Sequence, residues 1–177
     1  MDRTVTLRPF EREVAERLSM LANNENVVAQ VRDNFPYPYT LSDAHYWIDF
    51  CNSRRNDESF HRAVFYGDEF VGGIGVLRQE DIHRYNAEIG YWLGEPYWGL
   101  NIMTSALQQM TSWVFENTSI HRLFAGVFET NLASMRVLEK AGYHLEAIHR
   151  KAITKNGQML DEHLFVILRD NNSFPRL

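Results

Sequence analysis

Ala87-Glu-Ile-Gly-Tyr-Trp-Leu93 runs directly into Gly94-Glu-Pro-Tyr-Trp-Gly-Leu-Asn-Ile-Met-Thr104. The first segment, with Asn86 before it, has the aromatic and β-branched character of a strand. The second opens the clearest helix in the chain, expected over Gly99–Asn117, because Ile102, Met103, Ala106, Leu107, Met110, Trp113 and Val114 make one continuous apolar face. A helix start leaves backbone N–H groups unpaired and carries partial positive charge. A glycine just before it lets a ligand approach the backbone closely. Residues Gly99 to Thr104 therefore offer an anion site suited to a pyrophosphate, with the Thr104 hydroxyl as an extra donor. Every strand-to-helix turn has some of this character, so an ordinary helix start is the plain alternative.

Working outward toward the N-terminus, Phe60 to Tyr66 and Glu69 to Leu77 read as strands joined at Gly67-Asp68, a hairpin signal. Gly73-x-Gly75 lies inside that strand pattern and lacks the third glycine of a dinucleotide fingerprint, so it points to a bulge or to close packing. Ser42 is read as the N-cap of a helix through Ala44, Trp47, Ile48 and Cys51. Before it, Asn34 to Thr40 is a stiff loop, each proline fixing its own φ. Helices are expected over Glu11–Asn23, from Val14, Leu18 and Leu21, and over Asn26–Asp33, and a first strand around Val5 and Leu7. Toward the C-terminus, Arg122 to Phe128 is a strand. Asn131 to Ala141 is a helix stopped by Gly142. His144 to Thr154 and Leu160 to Leu168 form a hairpin turning near Asn156-Gly157. The order of strand, helices, three strands, helix, strand, helix and two strands predicts an α/β (α+β) domain around one sheet.

The chain has 177 residues, which fits one domain, and its 45% apolar content can fill a core. The net charge is −5 and no basic stripe is present, which argues against a nucleic-acid partner. No stretch is long and apolar enough to span a bilayer and no secretory leader core follows Met1, so no membrane association is expected. With one cysteine, Cys51, no internal disulfide forms, and a reducing, cytoplasmic setting is expected. Cys51 falls on an apolar helix face and is read as packing. The seven histidines show no metal-ligand spacing, so no metal is expected. No nucleophile elbow or Walker loop is present.

A second constellation is Thr130-Asn131-Leu-Ala-Ser134-Met-Arg136-Val-Leu-Glu-Lys-Ala-Gly142-Tyr143. Asn131 sits where a strand gives way to a helix, so capping is its plain role. Ser134 lies three residues on, in the first helical turn, so both side chains can face one mouth of the sheet.

Taken together, Ala87–Leu93, Tyr97–Thr104 and Asn131–Tyr143 resemble the GNAT superfamily of N-acetyltransferases, and most of all its branch acting on ribosomal-protein N-termini. The match in order covers nearly the whole chain from Thr4. The resemblance implies a mixed, mostly antiparallel sheet of about seven strands, splayed in the middle and flanked by about four to five helices. It implies acetyl-CoA as co-substrate, with the pantetheine arm in the gap beside Tyr91, Trp92 and Leu93. The pyrophosphate is expected on Gly99, Leu100, Asn101, Ile102, Met103 and Thr104, with Trp98 a further cofactor contact. Asn131 is expected on the pantetheine arm and Ser134 near the thioester sulfur. Two positions depart from the family pattern. Asn101 stands where a second glycine is usual, and asparagine tolerates unusual backbone angles better than most residues. Leu138 stands where many members carry a tyrosine proton donor, which leaves Ser134, or solvent, to protonate the leaving thiolate.

Attack on a thioester requires a neutral amine. An α-amine of pKa about 8 is roughly one-tenth neutral at pH 7, and a lysine amine far less. A base is useful, and Glu88 is the candidate, taking a proton through a water; the alternative is a solvated or salt-bridged Glu88. Backbone N–H groups near Tyr91 to Leu93 can polarise the carbonyl. Direct transfer in a ternary complex is what the family implies. For the acceptor, Tyr37 and Tyr39 on the early loop and Asp161 and Glu162 on the last hairpin are candidate contacts, a solvated turn being the alternative for the two acids. Three functions follow: a protein Nα-acetyltransferase, a small-molecule amine acetyltransferase acting on a polyamine, amino sugar or antibiotic, and a non-catalytic acyl-CoA-binding module. A monomer or homodimer is expected.

Overall fold

The computed structural model describes residues 3–53 and 59–169. Seven strands form one sheet: β1 (Val5–Arg8), β2 (Ser59–Tyr66), β3 (Glu69–Arg78), β4 (Asn86–Leu93), β5 (Arg122–Phe128), β6 (His144–Lys155) and β7 (Gln158–Leu168), in the order β1-β2-β3-β4-β5-β7-β6. Among the described residues five α-helices accompany them: α1 (Ala15–Ala22), α2 (Glu25–Val28), α3 (Leu41–Asn52), α4 (Ile102–Asn117) and α5 (Leu132–Lys140). This is the mixed, mostly antiparallel sheet expected from the sequence. Only β4 and β5 are parallel, and they pair for three rungs, Asn86↔Arg122, Ala87↔Leu123 and Glu88↔Phe124. Beyond Glu88 the two strands part, while β4 stays paired with β3 as far as Leu93 and β5 with β7 as far as Phe128. A wedge therefore opens in the middle of the sheet.

Each face of the sheet buries its own core. Leu107, Met110 and Val114 of α4 and Leu138 of α5 pack on Ile89, Leu123 and Phe165. Leu18 of α1 and Ile48 of α3 pack on Phe10, Ala63 and Phe70 on the opposite face. Alternation along the strands produces this division, since successive side chains point to opposite sides.

Both hairpins form where their turn residues require. Gly67 has φ of +62°, and Asn156 and Gly157 have φ of +51° and +75°, the positive pair that a two-residue hairpin turn demands. The glycine pair in β3 serves close packing: a Cβ on Gly75 would lie 2.3 Å from His61 Nδ1. The strand irregularity falls instead between Val64 and Phe65 of β2.

Several boundaries differ from the sequence reading, among them the first helix, which is Ala15–Ala22 after a short 3-10 turn at Arg12–Val14 and not Glu11–Asn23. The α3 cap is Thr40 and not Ser42: Thr40 Oγ1 accepts from the Asp43 N–H at 3.2 Å and Asp43 Oδ2 accepts from the Thr40 N–H at 2.8 Å. The second helix is one turn, Glu25–Val28, capped by Asn24, and Arg32 and Asp33 lie beyond it, paired with Glu88 and Lys155. Helix α4 starts at Ile102, not Gly99, since Gly99 and Asn101 have φ of +78° and +57° and cannot belong to a right-handed helix.

Candidate active site

The wedge between β4 and β5 opens into a cleft of about 1250 Å³ that runs from the first turn of α4 to the aromatic side chains under α3. It brings together Glu88, Tyr91, Trp92, Leu93, Trp98 to Thr104, Asn131, Ser134, Tyr39 and Glu162.

At one end lies the loop before α4. Trp98 donates its indole N–H to the Leu93 carbonyl at 2.7 Å. Glu95 accepts from the Asn24 and Asn26 amides at 2.7 and 2.8 Å, fastening the loop to α2. Gly99 and Asn101 adopt left-handed backbone angles just before the helix, and Gly99 to Thr104 line the cleft. No side chain caps this helix start. The Thr104 hydroxyl is buried and has no hydrogen-bond partner among the described residues. Ile102 and Met103 bury their side chains in the core and present only backbone here, whereas Leu100 is exposed. Lys140, at the end of α5, donates to Asn101 Oδ1 at 3.0 Å, and Arg136 lies one turn earlier on the cleft wall. An orphaned buried hydroxyl, unclaimed helix N–H groups and two cations on one side are what a pyrophosphate requires, so these residues fit coenzyme A.

In the middle, Tyr91 and Ser134 meet. The Tyr91 hydroxyl is 2.7 Å from Ser134 Oγ, and burial raises the pKa of the phenol. Asn131 Oδ1 accepts from the Ser134 N–H at 3.1 Å, capping α5. Leu138 is fully buried in the core and lines no part of the cleft.

On the other face stands Glu88, at the last rung before the strands part. Its side chain is 20% exposed and forms an ion pair with Arg32. Burial raises its pKa above the usual carboxylate value; the Arg32 guanidinium opposes that and Glu162 adds to it. Glu162 itself faces the imidazole of His149 at 3.0 Å and lies over Gly126, where a Cβ would meet its Oε1 at 2.3 Å.

Two predicted acceptor contacts lie away from the cleft. Tyr37 is 49% exposed and points its hydroxyl to Glu25 at 3.1 Å. Asp161 is buried, held by the Lys151 N–H at 2.9 Å and the Arg150 guanidinium at 2.5 Å. Those bonds place its pKa below the usual carboxylate range. It fastens the β6–β7 hairpin. Tyr39 is buried beside Phe35 at 5.1 Å between ring centres, a wall of the cleft instead of an open-loop contact.

Arg32 carries no local signal in the sequence, because the carboxylate it meets, Glu88, belongs to a distant segment; Arg136 and Lys140 lie within the Asn131–Tyr143 motif, but the meeting of Lys140 with Asn101 is set by the fold. Gly90, in the middle of a central strand, does carry one: glycine inside a strand marks close approach or needed room.

Comparison with known proteins agrees with this geometry. The profile of the acetyltransferase (GNAT) domain family matches residues 4–144. A probable N-acetyltransferase of Bacillus subtilis, YjcK, is 30% identical over 181 residues, covering 96% of this chain and 97% of that protein. The chain therefore belongs to the GNAT acetyltransferase family and is an N-acetyltransferase by descent. Among solved structures, RimL, the ribosomal L7/L12 alpha-N-protein acetyltransferase in complex with coenzyme A, superposes with a TM-score of 0.84 at 23% identity, over 94% of this chain and 95% of that one. Spermidine N-acetyltransferase from Vibrio cholerae in complex with CoA and spermine gives 0.77 at 19% identity, over 93% and 95%. At those identities the two establish a shared fold. Among the described residues no group of His, Cys, Asp and Glu could hold a metal ion, and no helix is long and apolar enough to cross a membrane.

Proposed function

We propose that the protein is a single-domain cytoplasmic enzyme that transfers the acetyl group of acetyl-CoA to a primary amine of the α-amino type, by direct attack in a ternary complex. The observation that carries this reading is the fork at Glu88. Pairing of β4 with β5 ends there, a carboxylate of raised pKa sits on one side, and the uncapped start of α4 lies at the far end of the same cleft. Bound acetyl-CoA supplies the activated acyl group. Backbone groups of Tyr91 to Leu93 on the β5 side, where no ladder pairing continues, hold the pantetheine arm and polarise the carbonyl. Gly99 to Thr104 hold the pyrophosphate, with Lys140 and Arg136 adding charge. Glu88 takes the proton of the incoming ammonium, directly or through a water. A base poised upward suits an α-amine, whose pKa of about 8 leaves roughly one-tenth of it neutral at pH 7. Ser134 donates a hydrogen bond toward the departing sulfur. Burial pushes the Cys51 thiol up to about 12, which argues against an acyl-enzyme on that residue.

The polyamine reading is less well supported, because Asp33, Glu88 and Glu162, the carboxylates that line the cleft, each face a basic group: Lys155 at 2.7 Å, Arg32, and His149. A ribosomal-protein terminus, as in the RimL protein, is the relative whose acceptor chemistry fits best. Thiol release from acetyl-CoA, measured against a panel of peptides and amines beside Glu88→Gln, tests the reading. The wild type should release thiol with at least one α-amine, and the variant should lose a factor of about 10² to 10⁴ in turnover. Binding of acetyl-CoA without thiol release from any acceptor would instead indicate a binding module.

A further inference from the structure

Glu88, Gly90 and Trp92 alternate onto one face of β4, together with their β3 partners Leu77, Gly75 and Gly73. Two of these glycines are covered. A Cβ on Gly73 would lie 3.0 Å from Trp92 Nε1, and one on Gly75 would strike the His61 imidazole. Gly90 is different: a Cβ there would meet nothing within 4 Å, although it stands in the middle of a central strand. Gly90 is exposed, and the segment from Arg32 to Phe35 lines the same cleft. That segment is fastened at Glu88 by the Arg32 ion pair and over Trp92 by the Phe35 ring, 5.8 Å between centres. Asp33 ties the same segment to Lys155 of β6 at 2.7 Å. The space has a carboxylate at one end and aromatic rings at the other. Their backbone positions are four residues apart, about 13 Å along the strand.

We infer that the room over Gly90 seats an aromatic group carried by the acceptor close to its reactive amine, so that the preferred substrate is an aromatic primary amine. The inference rests on the acetyltransferase reading and names the substrate class of that same site. Trp92, Phe35 and Trp47 give such a ring edge and face contacts, and burying an aromatic side chain removes about 150–250 Å² from water. Arg32 already meets the charge of Glu88, which leaves that carboxylate to accept one proton and not to anchor a row of ammonium groups. A side chain on Gly90 would occupy the ring's place without touching the backbone groups of Tyr91 to Leu93.

The test compares kcat/KM for phenylalaninamide, a tetrapeptide beginning with phenylalanine, alaninamide and spermidine, in the wild type and in Gly90→Val. The aromatic acceptors should exceed alaninamide by at least about tenfold, with spermidine lower still. Gly90→Val should bring the aromatic-to-alanine ratio close to one while acetyl-CoA affinity, read by calorimetry, stays within about twofold. Gly90→Ala, a smaller intrusion, should lower the ratio part of the way and serves if the valine variant does not fold. The faster of phenylalaninamide and the tetrapeptide identifies a free amine or a peptide terminus as the source, and either supports the inference. Alaninamide or spermidine matching the aromatic acceptors, or an unchanged ratio in both Gly90 variants, overturns it while leaving the acetyltransferase reading standing. Absence of thiol release from all four acceptors by a wild type that binds acetyl-CoA overturns both.

Discussion

The Tyr91 hydroxyl lies 2.7 Å from Ser134 Oγ, joining the strand that flanks the wedge to the first turn of α5. A buried phenol of raised pKa keeps its proton and is the better donor of the pair. With its oxygen accepting that bond, Ser134 can turn its own hydrogen into the cleft. Tyr91→Phe should therefore lower kcat by about tenfold, the worth of one hydrogen bond of about 1.4 kcal/mol, with little change in the KM for acetyl-CoA. Ser134→Ala should cost more, and adding Tyr91→Phe to it should cost nothing further, because the phenol acts through the serine. Additive losses in the double variant would show that Tyr91 acts by another route.

The pH profile of kcat/KM follows from the surroundings of Glu88. As a base, Glu88 works as the carboxylate, so activity falls as pH drops through its pKa. Burial raises that pKa, Arg32 lowers it and Glu162 raises it. Arg32→Ala removes the opposing cation and should move the acid limb to higher pH. Glu162→Gln removes a like charge and should move it to lower pH. Opposite displacements in the two variants, read from rates across the acid range, are the expected result. An acid limb that stays put in both would remove Glu88 as the titrating base.

The cap of α3 gives a stability prediction independent of catalysis. Thr40 and Asp43 satisfy one another's backbone N–H groups, and Ser42 lies within the first turn without that role. Thr40→Ala should destabilise the protein by about 1 kcal/mol, and Ser42→Ala by less than about 0.5 kcal/mol, in denaturant unfolding. The reverse order would return the cap to Ser42.

The sequence made some of this legible and not the rest, for physical reasons. Patterns set by neighbours along the chain were readable: the apolar face of α4, the Asn156-Gly157 turn and the strand-to-helix passage at Gly94–Thr104. The cap is ambiguous in the sequence because Thr40 and Ser42 both precede the apolar run, and only the spacing to Asp43 separates them. Asp161 and Glu162 were indistinguishable as adjacent acids. Strand alternation sends one to Arg150 and Lys151 and the other into the cleft. Arg32 could not be found from its surroundings in the chain, since Glu88 is 56 residues away. The folded sheet alone brings them together.

Asn101 is the position where the family pattern has glycine, and its backbone, at φ +57° and ψ +13°, explains why glycine or asparagine is needed. Its side chain also accepts from Lys140 at 3.0 Å, which places that cation beside the uncapped helix start. The two functions separate by substitution. Asn101→Gly keeps the backbone angle and loses the lysine contact, so acetyl-CoA should bind within a few-fold of wild type. Asn101→Val forces a β-branched residue into the left-handed region at a cost of about 1–2 kcal/mol. If the loop relaxes out of that conformation, the helix N–H groups turn away from the phosphates, and Kd should rise about 5- to 30-fold. Lys140→Ala should weaken binding more at low than at high ionic strength, since it removes a charge and no backbone constraint. Calorimetric titration of the three variants at two salt concentrations checks all of this. Equal affinity in Asn101→Gly and Asn101→Val would mean that the left-handed turn plays no part in holding the cofactor.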